Sequence, residues 1–222
     1  MLIGRVVIFT LSDKMNIHNL FPTPLGHIKN FLTNDQIKVL MHHVYDAPID
    51  RNYDNIITTK LDSSKNKIVS DYLIPKISLY VKEFGYQLFG EYHDKWIIKK
   101  LWGNIMQPNG FQNNHNHVNS VVCGIIYLTD PEESCHTHFS KNYNNLETFR
   151  INNEGNFNTL PTEYNVKLVD FDLAKKGDMV IFPAYLHHGV TKNISNSNRV
   201  TIAFNSFPNR MLAGDAYEIN LS

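Results

Sequence analysis

The hydrophobic period of this chain changes near residue 96, from the three-to-four spacing of helices to the alternation of strands. That change limits the fold more than any other feature. Behind Thr33-Asn34-Asp35-Gln36, a capping-box pattern, Ile37, Leu40, Met41 and Val44 recur at helical spacing. A second stripe of Leu73, Ile77, Tyr80, Val81, Phe84 and Leu88 predicts a helix from about Ser70 to Leu88. Pro75 falls near its first turn, where proline is tolerated. Both stripes read as core-packing faces. From Trp96 the segments Trp96–Met106, Val118–Leu128, Val166–Asp172, Met179–Tyr185 and Arg199–Phe207 are rich in Val, Ile, Phe and Tyr, and clusters of Gly, Asn, Asp and Pro separate them. Helices followed by many short strands predict a mainly β fold, an antiparallel sandwich or barrel buttressed by N-terminal helices.

Length and charge narrow the class. The chain has 222 residues, enough for a real core, and its 21 Lys+Arg balance its 21 Asp+Glu. Zero formal charge argues against a protein whose main task is to grip a phosphate backbone, although Lys95, Lys99 and Lys100 could still form a local basic groove. No apolar run approaches the roughly 20 residues of a spanning helix, so no membrane partner is expected. Two cysteines, Cys123 and Cys135, make neither a C-x-x-C pair nor a disulfide framework, which fits a reducing, cytoplasmic setting. Without repeats, linkers or charge blocks, residues 15–222 are expected to form one domain with its β core at about 96–208. Residues 1–14 read as an upstream extension before Met15, and the polar, Asn-rich stretch 141–165 as a long loop or lid near the site. Oligomeric state is open, with a homodimer as the common default.

Histidine carries the chemistry. His115-x-His117 places two imidazoles on one face of an extended segment, and His187-His188 follows the strand ending Ile181-Phe182-Pro183. Two such elements can converge on one metal ion at a barrel mouth, and imidazole suits Fe, Zn, Cu and Ni alike. Each histidine alone is more simply a hydrogen-bonded loop residue; the combined pattern favours a metal. No glycine-rich phosphate loop, G-x-S-x-G or H-E-x-x-H is present, so hydrolase and metalloprotease readings lack support.

The longer pattern runs from His115-x-His117 through Ser120–Leu128 and Gly177–Pro183 to His188-Gly-Val190, Asn193 and Arg199-Val-Thr-Ile-Ala-Phe-Asn205. It resembles the 2-oxoglutarate- and Fe(II)-dependent oxygenases, most closely a group found in marine bacteria and tailed phages, over about residues 96–208 and weakly at Phe21–Pro24. The resemblance implies a double-stranded β-helix (jelly-roll) core. It further implies Fe(II), 2-oxoglutarate as cosubstrate and O2, with succinate and CO2 released as a substrate is hydroxylated. A phage-encoded member would work in the host cytoplasm. His115, His117 and His188 would be the catalytic metal ligands. Arg199 would anchor the far carboxylate of 2-oxoglutarate, since its planar fork matches a carboxylate and keeps its proton. Thr201, at i+2 and pointing the same way, would add a hydroxyl, and Tyr127 is implied to reach the same carboxylate. Eleven residues separate His188 from Arg199, which is expected to allow a turn through Asn193–Asn198 and a return on the neighbouring strand.

One departure stands out. The family's common motif is His-x-Asp or His-x-Glu, and the +2 position here is His117. A three-imidazole site is one charge more positive; in another register His117-Val-Asn119 is the working triplet, with Asn119 or water in place of the carboxylate. Halogenation would call for a small residue where His117 stands. His187 alternates away from His188 and is expected beside the ligands or facing substrate, while His136-x-His138 reads as a decoy of similar spacing. Trp102, Asn104 and Met106 share one strand face, and Asn104 would contact cosubstrate or substrate or serve as a buried structural amide. Gly124 and Gly177 read as a close-packing site and a turn. A cupin-type three-His metalloprotein leaves Arg199 without a task, and a non-catalytic jelly-roll module leaves the histidines without one. The substrate is open between a peptidyl side chain and a small molecule.

Overall fold

The computed structural model describes residues 22–64, 66–90, 95–130, 135–140, 168–213 and 217–220. The upstream extension, Phe21 and the 141–165 loop lie outside them. In chain order the elements are β1 (Gly26–Ile28), α1 (Asn34–Asp46), β2 (Ile49–Tyr53), β3 (Ile56–Lys60), a π-helical segment (Ile68–Leu73), α2 (Ile74–Phe89), β4 (Trp96–Met106) and β5 (Gln112–His115). There follow β6 (Val122–Tyr127), β7 (Thr137–Ser140), β8 (Leu168–Phe171), β9 (Met179–Pro183), β10 (His187–Val190), β11 (Arg199–Pro208), β12 (Arg210–Ala213) and β13 (Tyr217–Asn220).

Every pairing among these strands is antiparallel. The large sheet has the order β1-β9-β6-β11-β4-β3-β2 and the small one β5-β10-β7-β8, while β12 and β13 form a separate ribbon. From β4 to β11 the chain alternates between large and small sheet except at the β7–β8 pair, which is the winding of a jelly roll. The expected fold class is therefore found, and no described helix is long and apolar enough to cross a membrane.

Alternation along the large sheet explains how it serves two sides. On β11, Val200, Ile202 and Phe204 pack in the core beneath the helices, as do Leu101 and Ile105 of β4, Val122 and Ile126 of β6, and Met179 and Ile181 of β9. Their neighbours Cys123, Ile125, Tyr127, Val180 and Phe182 join Phe139 of β7 in a second cluster between the sheets. The helices meet the first layer with the residues that the periodicity picks out. Ile37, Leu40 and Val44 of α1 are buried, as are Ile77, Val81 and Phe84 of α2. Thr33 caps α1 with both capping-box bonds to Gln36. Pro75 lies in the first turn of α2, and Gly90, at φ 67°, ends the helix in the left-handed conformation. Asp178, just before β9, accepts hydrogen bonds from His27 (2.9 Å) and from the N–H groups of Asn30 (2.8 Å) and Lys175 (3.0 Å). Burial pushes its carboxyl up, but these bonds outweigh burial and hold it below its ordinary value.

Several expectations need correction. The second helix starts at Ile74, and the turn before it, Ile68–Leu73, is π-helical. The Val118–Leu128 strand begins only at Val122, because Asn119 takes φ 58° in a turn. The Met179–Tyr185 strand stops at Pro183. The β2–β3 hairpin was not expected, yet Asp54 and Asn55, at φ 49° and 60°, form the two-residue turn whose twist suits paired strands. The largest correction concerns His188 and Arg199, which do not lie on adjoining strands. The segment between them crosses from the small sheet to the large one, so the two residues face each other from opposite layers.

Packing leaves no room for a side chain at Gly124, where an added Cβ would run into Phe204 Cζ and stand 2.8 Å from the Val180 carbonyl. Gly124→Ala is expected to cost about 1–3 kcal/mol by overpacking, and Thr33→Ala about 1 kcal/mol through the lost cap. Urea unfolding of both variants checks the two values and their order.

Candidate metal centre

His115 ends β5 and pairs directly with His188 of β10, so two imidazoles meet across one ladder. His117 lies just past β5, where its N–H bonds the Ala184 carbonyl at 3.0 Å. The ring centroids of His115 and His188 are 4.4 Å apart, those of His117 and His188 5.0 Å, and those of His115 and His117 5.2 Å. One nitrogen from each ring lies within 4.8 Å of the others. Among the described residues no carboxylate or thiolate joins them in a metal-holding group.

Each ring is oriented through its other nitrogen. Nδ1 of His115 bonds the Asn113 carbonyl at 2.9 Å, and Nδ1 of His188 bonds the Leu186 carbonyl at 3.0 Å. Nδ1 of His117 bonds Oδ1 of Asn205 at 2.5 Å. A carbonyl oxygen only accepts, so each Nδ1 carries the proton and each Nε2 keeps its lone pair. Burial lowers the His188 pKa to about 3, helped by its three histidine neighbours and opposed by the Leu186 bond. Burial also lowers His117, against its bond to Asn205, and His115 and Lys100 add to the shift. Both rings are therefore neutral at pH 7, the form that ligates a metal.

A narrow cleft joins this cluster to Arg199. Its walls include Trp102, Asn104 and Met106 from β4, the three histidines, Phe182, and Arg199 and Thr201 from β11. Arg199 is only 5% exposed. Its Nη2 donates to Thr137 Oγ1 at 3.0 Å, while its Nε has no hydrogen-bond partner among the described residues. Tyr127 lies behind the guanidinium rather than on the cleft wall: the guanidinium carbon stands 5.3 Å from its ring centroid, and its hydroxyl bonds Thr137 Oγ1 at 2.8 Å. Burial raises the phenol pKa, partly offset by Arg199, so Tyr127 stays protonated. Asn104 accepts from Trp102 Nε1 at 3.1 Å and reaches the cleft as well.

Outside the cluster, a wider groove opens over His115 and His117. It is lined by Asp50, Arg51 and Tyr53 of β2, Thr58 of β3, Lys100 and Trp102 of β4, and Asn205 of β11, among others. Trp102 stacks on His117, and Lys100 lies over Trp102. Asn119 is exposed in its turn and lines neither the cleft nor the groove. His187 is on the ladder beside His188 but outside the cluster. His138 is buried, with Nε2 held by Asn114 at 2.8 Å, and it does not join the three. Two contributors escaped the sequence reading. Thr137 carries no motif. Asn205 lies at even spacing from Arg199 and Thr201 on β11, a signal that could have placed it on their face.

A family model described as "Putative 2OG-Fe(II) oxygenase" matches residues 100–205, from β4 to the inward face of β11. That match spans the strands that carry the histidines and Arg199. Comparison of the sequence with curated proteins gives no match. Among solved structures it is similar to HygX from Streptomyces hygroscopicus with nickel and 2-oxoglutarate bound, at 12% identity over 84% of this chain and 83% of that one, TM-score 0.58. It is also similar to the viral collagen prolyl hydroxylase of Paramecium Bursaria Chlorella virus-1, at 15% identity over 82% and 94%, TM-score 0.52. A third is a Pseudomonas putida prolyl-4-hydroxylase, at 12% identity over 82% and 92%, TM-score 0.56. At these identities the likeness is one of fold. It sets the strand winding of this chain beside proteins of the same architecture.

The buried histidines give the metal-free protein an acid-sensitive centre. The folded His188 pKa lies below its ordinary 6.5, so the unfolded chain binds the extra proton between pH 6.5 and about 3. Its contribution to stability is whole above pH 6.5 and is lost as pH falls towards 3. His188→Gln is expected to flatten part of that slope, read from chemical unfolding of metal-free protein across this range.

Proposed function

We propose that this protein is an Fe(II)- and 2-oxoglutarate-dependent oxygenase that hydroxylates a substrate entering by the groove over His115 and His117. One observation carries the reading. A buried guanidinium with an unpartnered Nε lines the same cleft as three imidazoles with free Nε2 atoms. A buried cation without an anion is costly, and a carboxylate in that cleft would satisfy it. The donor set fits the metal too, since neutral imidazoles suit iron. When bound, iron with 2-oxoglutarate and O2 supplies oxidative decarboxylation to succinate and CO2, coupled to oxygenation of a C–H bond.

The chain's own residues bind, orient and exclude water. His115, His117 and His188 would hold the metal on one side and leave the rest of its coordination sphere open. Arg199 would take the distal carboxylate through its fork, with the Thr201 hydroxyl beside it. Tyr127 and Thr137 would hold the guanidinium in place from behind, so Tyr127 acts on the cosubstrate through Arg199. Asn104, tied to Trp102, would border the cosubstrate where the cleft meets the groove. Phe139 and Phe182 pack around His188 at 6.2 Å and 4.6 Å between ring centroids and keep the small-sheet side dry.

The groove is lined mainly by hydrogen-bonding side chains, which suits a polar small molecule or a peptide rather than a hydrocarbon. HygX has been seen with hygromycin B, and two other similar structures are prolyl hydroxylases, so both substrate kinds are compatible with this architecture. The narrower likeness to marine-bacterial and phage members rests on the motif order. The missing carboxylate ligand favours one second reading, a three-His dioxygenase that does not use 2-oxoglutarate. The buried Arg199, whose Nε has no partner among the described residues, weighs against it.

Anaerobic calorimetry with Fe(II) separates these readings. Metal-loaded protein is expected to bind 2-oxoglutarate and, in air, to form succinate. Arg199→Ala is expected to weaken 2-oxoglutarate binding at least about 30-fold, as for truncating one partner of a buried charge pair, with metal affinity nearly unchanged. Metal-loaded protein that does not bind 2-oxoglutarate would remove the proposed activity.

A further inference from the structure

His117 stands where related enzymes commonly carry a carboxylate, and the exchange creates a requirement that a carboxylate does not have. Either oxygen of a carboxylate can ligate. An imidazole ligates through Nε2 only if the proton sits on Nδ1, so something must accept that proton's hydrogen bond. His115 and His188 meet the requirement locally, through main-chain carbonyls two residues before each ring. His117 does not. Its acceptor is a side chain 88 residues away, Oδ1 of Asn205.

A carboxamide is an ambiguous acceptor, because rotating it by half a turn exchanges oxygen for NH2. The flipped amide would donate to Nδ1, move the proton to Nε2 and close His117 to a metal. The structure contains a device against this. Cys123, the direct ladder partner of Asn205 on β6, places its thiol 3.2 Å from the same Oδ1, where S–H donates. A thiol donor favours oxygen over NH2 at that point. Burial keeps the thiol protonated, with its pKa pushed up to about 12. The strand geometry also serves the contact: the register of β11 against β4 slips between Asn205 and Ser206, opposite Lys100 and Ile98. Such a slip re-aims side chains next to a site.

We propose that Asn205 is a positioning residue for the metal centre: its amide oxygen, selected by the Cys123 thiol, holds His117 in the Nδ1–H tautomer and so presents Nε2 to the ion. This rests on the reading of His115, His117 and His188 as metal ligands and is independent of 2-oxoglutarate. It has a consequence at the substrate side. With Oδ1 committed to His117 and Cys123, the Asn205 NH2 is the end left for the groove, which Asn205 lines together with Lys100. A substrate oxygen, as carbonyl or carboxylate, is the chemistry that would meet it.

The test reads the tautomer without metal. Long-range 1H–15N NMR of metal-free protein, with His117 assigned by the loss of its signals in His117→Gln, is expected to show the Nδ1–H form. Asn205→Leu and Cys123→Ala are each expected to give a mixture. In Co(II) titrations followed by the visible ligand-field spectrum, Asn205→Leu is expected to bind about 10- to 100-fold more weakly. Asn205→Asp, which has no NH2 end to flip, is expected to restore Co(II) affinity. The proposal is overturned if the wild-type ring is found as Nε2–H, a result that needs no variant to fold. It is overturned equally if folded Asn205→Leu binds Co(II) as the wild type does, or if Asn205→Asp fails to rescue. Wild-type protein that binds no Co(II) would defeat the underlying metal reading, and the tautomer measurement tells the two failures apart.

Discussion

Three imidazoles and one guanidinium line one cleft of this protein, among the described residues no carboxylate joins the imidazoles, and much of the surrounding structure answers to that electrostatic constraint. Histidines packed at ring separations of 4.4 to 5.2 Å cannot all be charged in a desolvated space, and burial holds His117 and His188 neutral. The guanidinium has no such escape, because it does not lose its proton. It is instead braced by Thr137 and by the Tyr127 ring, while its buried Nε has no partner among the described residues. Under the proposed function, the histidine end of the cleft would take a metal cation and the Arg199 end an acid.

The jelly roll makes this arrangement possible by giving its central strand two environments. Along β11, Val200, Ile202 and Phe204 close the core under the helices, while Arg199, Thr201 and Asn205 project from the opposite face. A one-residue slip of β11 would bury the guanidinium among Leu and Ile side chains and expose the aliphatic ones, so register and function are fixed together. The small sheet supplies His115 and His188 as direct ladder partners, which sets their separation by the spacing of two strands rather than by loop conformation.

The centre also shows how a change of ligand type spreads to the residues behind it. A carboxylate beside His115 would need little orientation. An imidazole there needs a fixed tautomer, and the fixing groups come from β6 and β11, strands of the opposite sheet. Trp102 adds a third constraint by stacking on the same ring. These contacts join the metal centre to the groove, because Trp102 and Asn205 belong to both.

The order of motifs in the sequence determined a good deal. Alternation from Trp96 onward specified a mainly β core, because a strand buried on two different sides must alternate. The capping box at Thr33 and the Ile37, Leu40, Val44 stripe specified α1 almost to the residue. His115-x-His117, His188 and Arg199 were legible as chemistry because their residue types and order have no simpler joint use. The tertiary structure alone decided which strands share a sheet: His188 and Arg199 face each other across two layers instead of lying side by side, since a turn signal at Asn193–Asn198 does not say where the next strand will pair. It alone brought Thr137 to Arg199, Asn205 to His117 and Cys123 to Asn205. Those contacts join residues 62 and 88 positions apart, or neighbours across a ladder, and local periodicity carries no information about such distances.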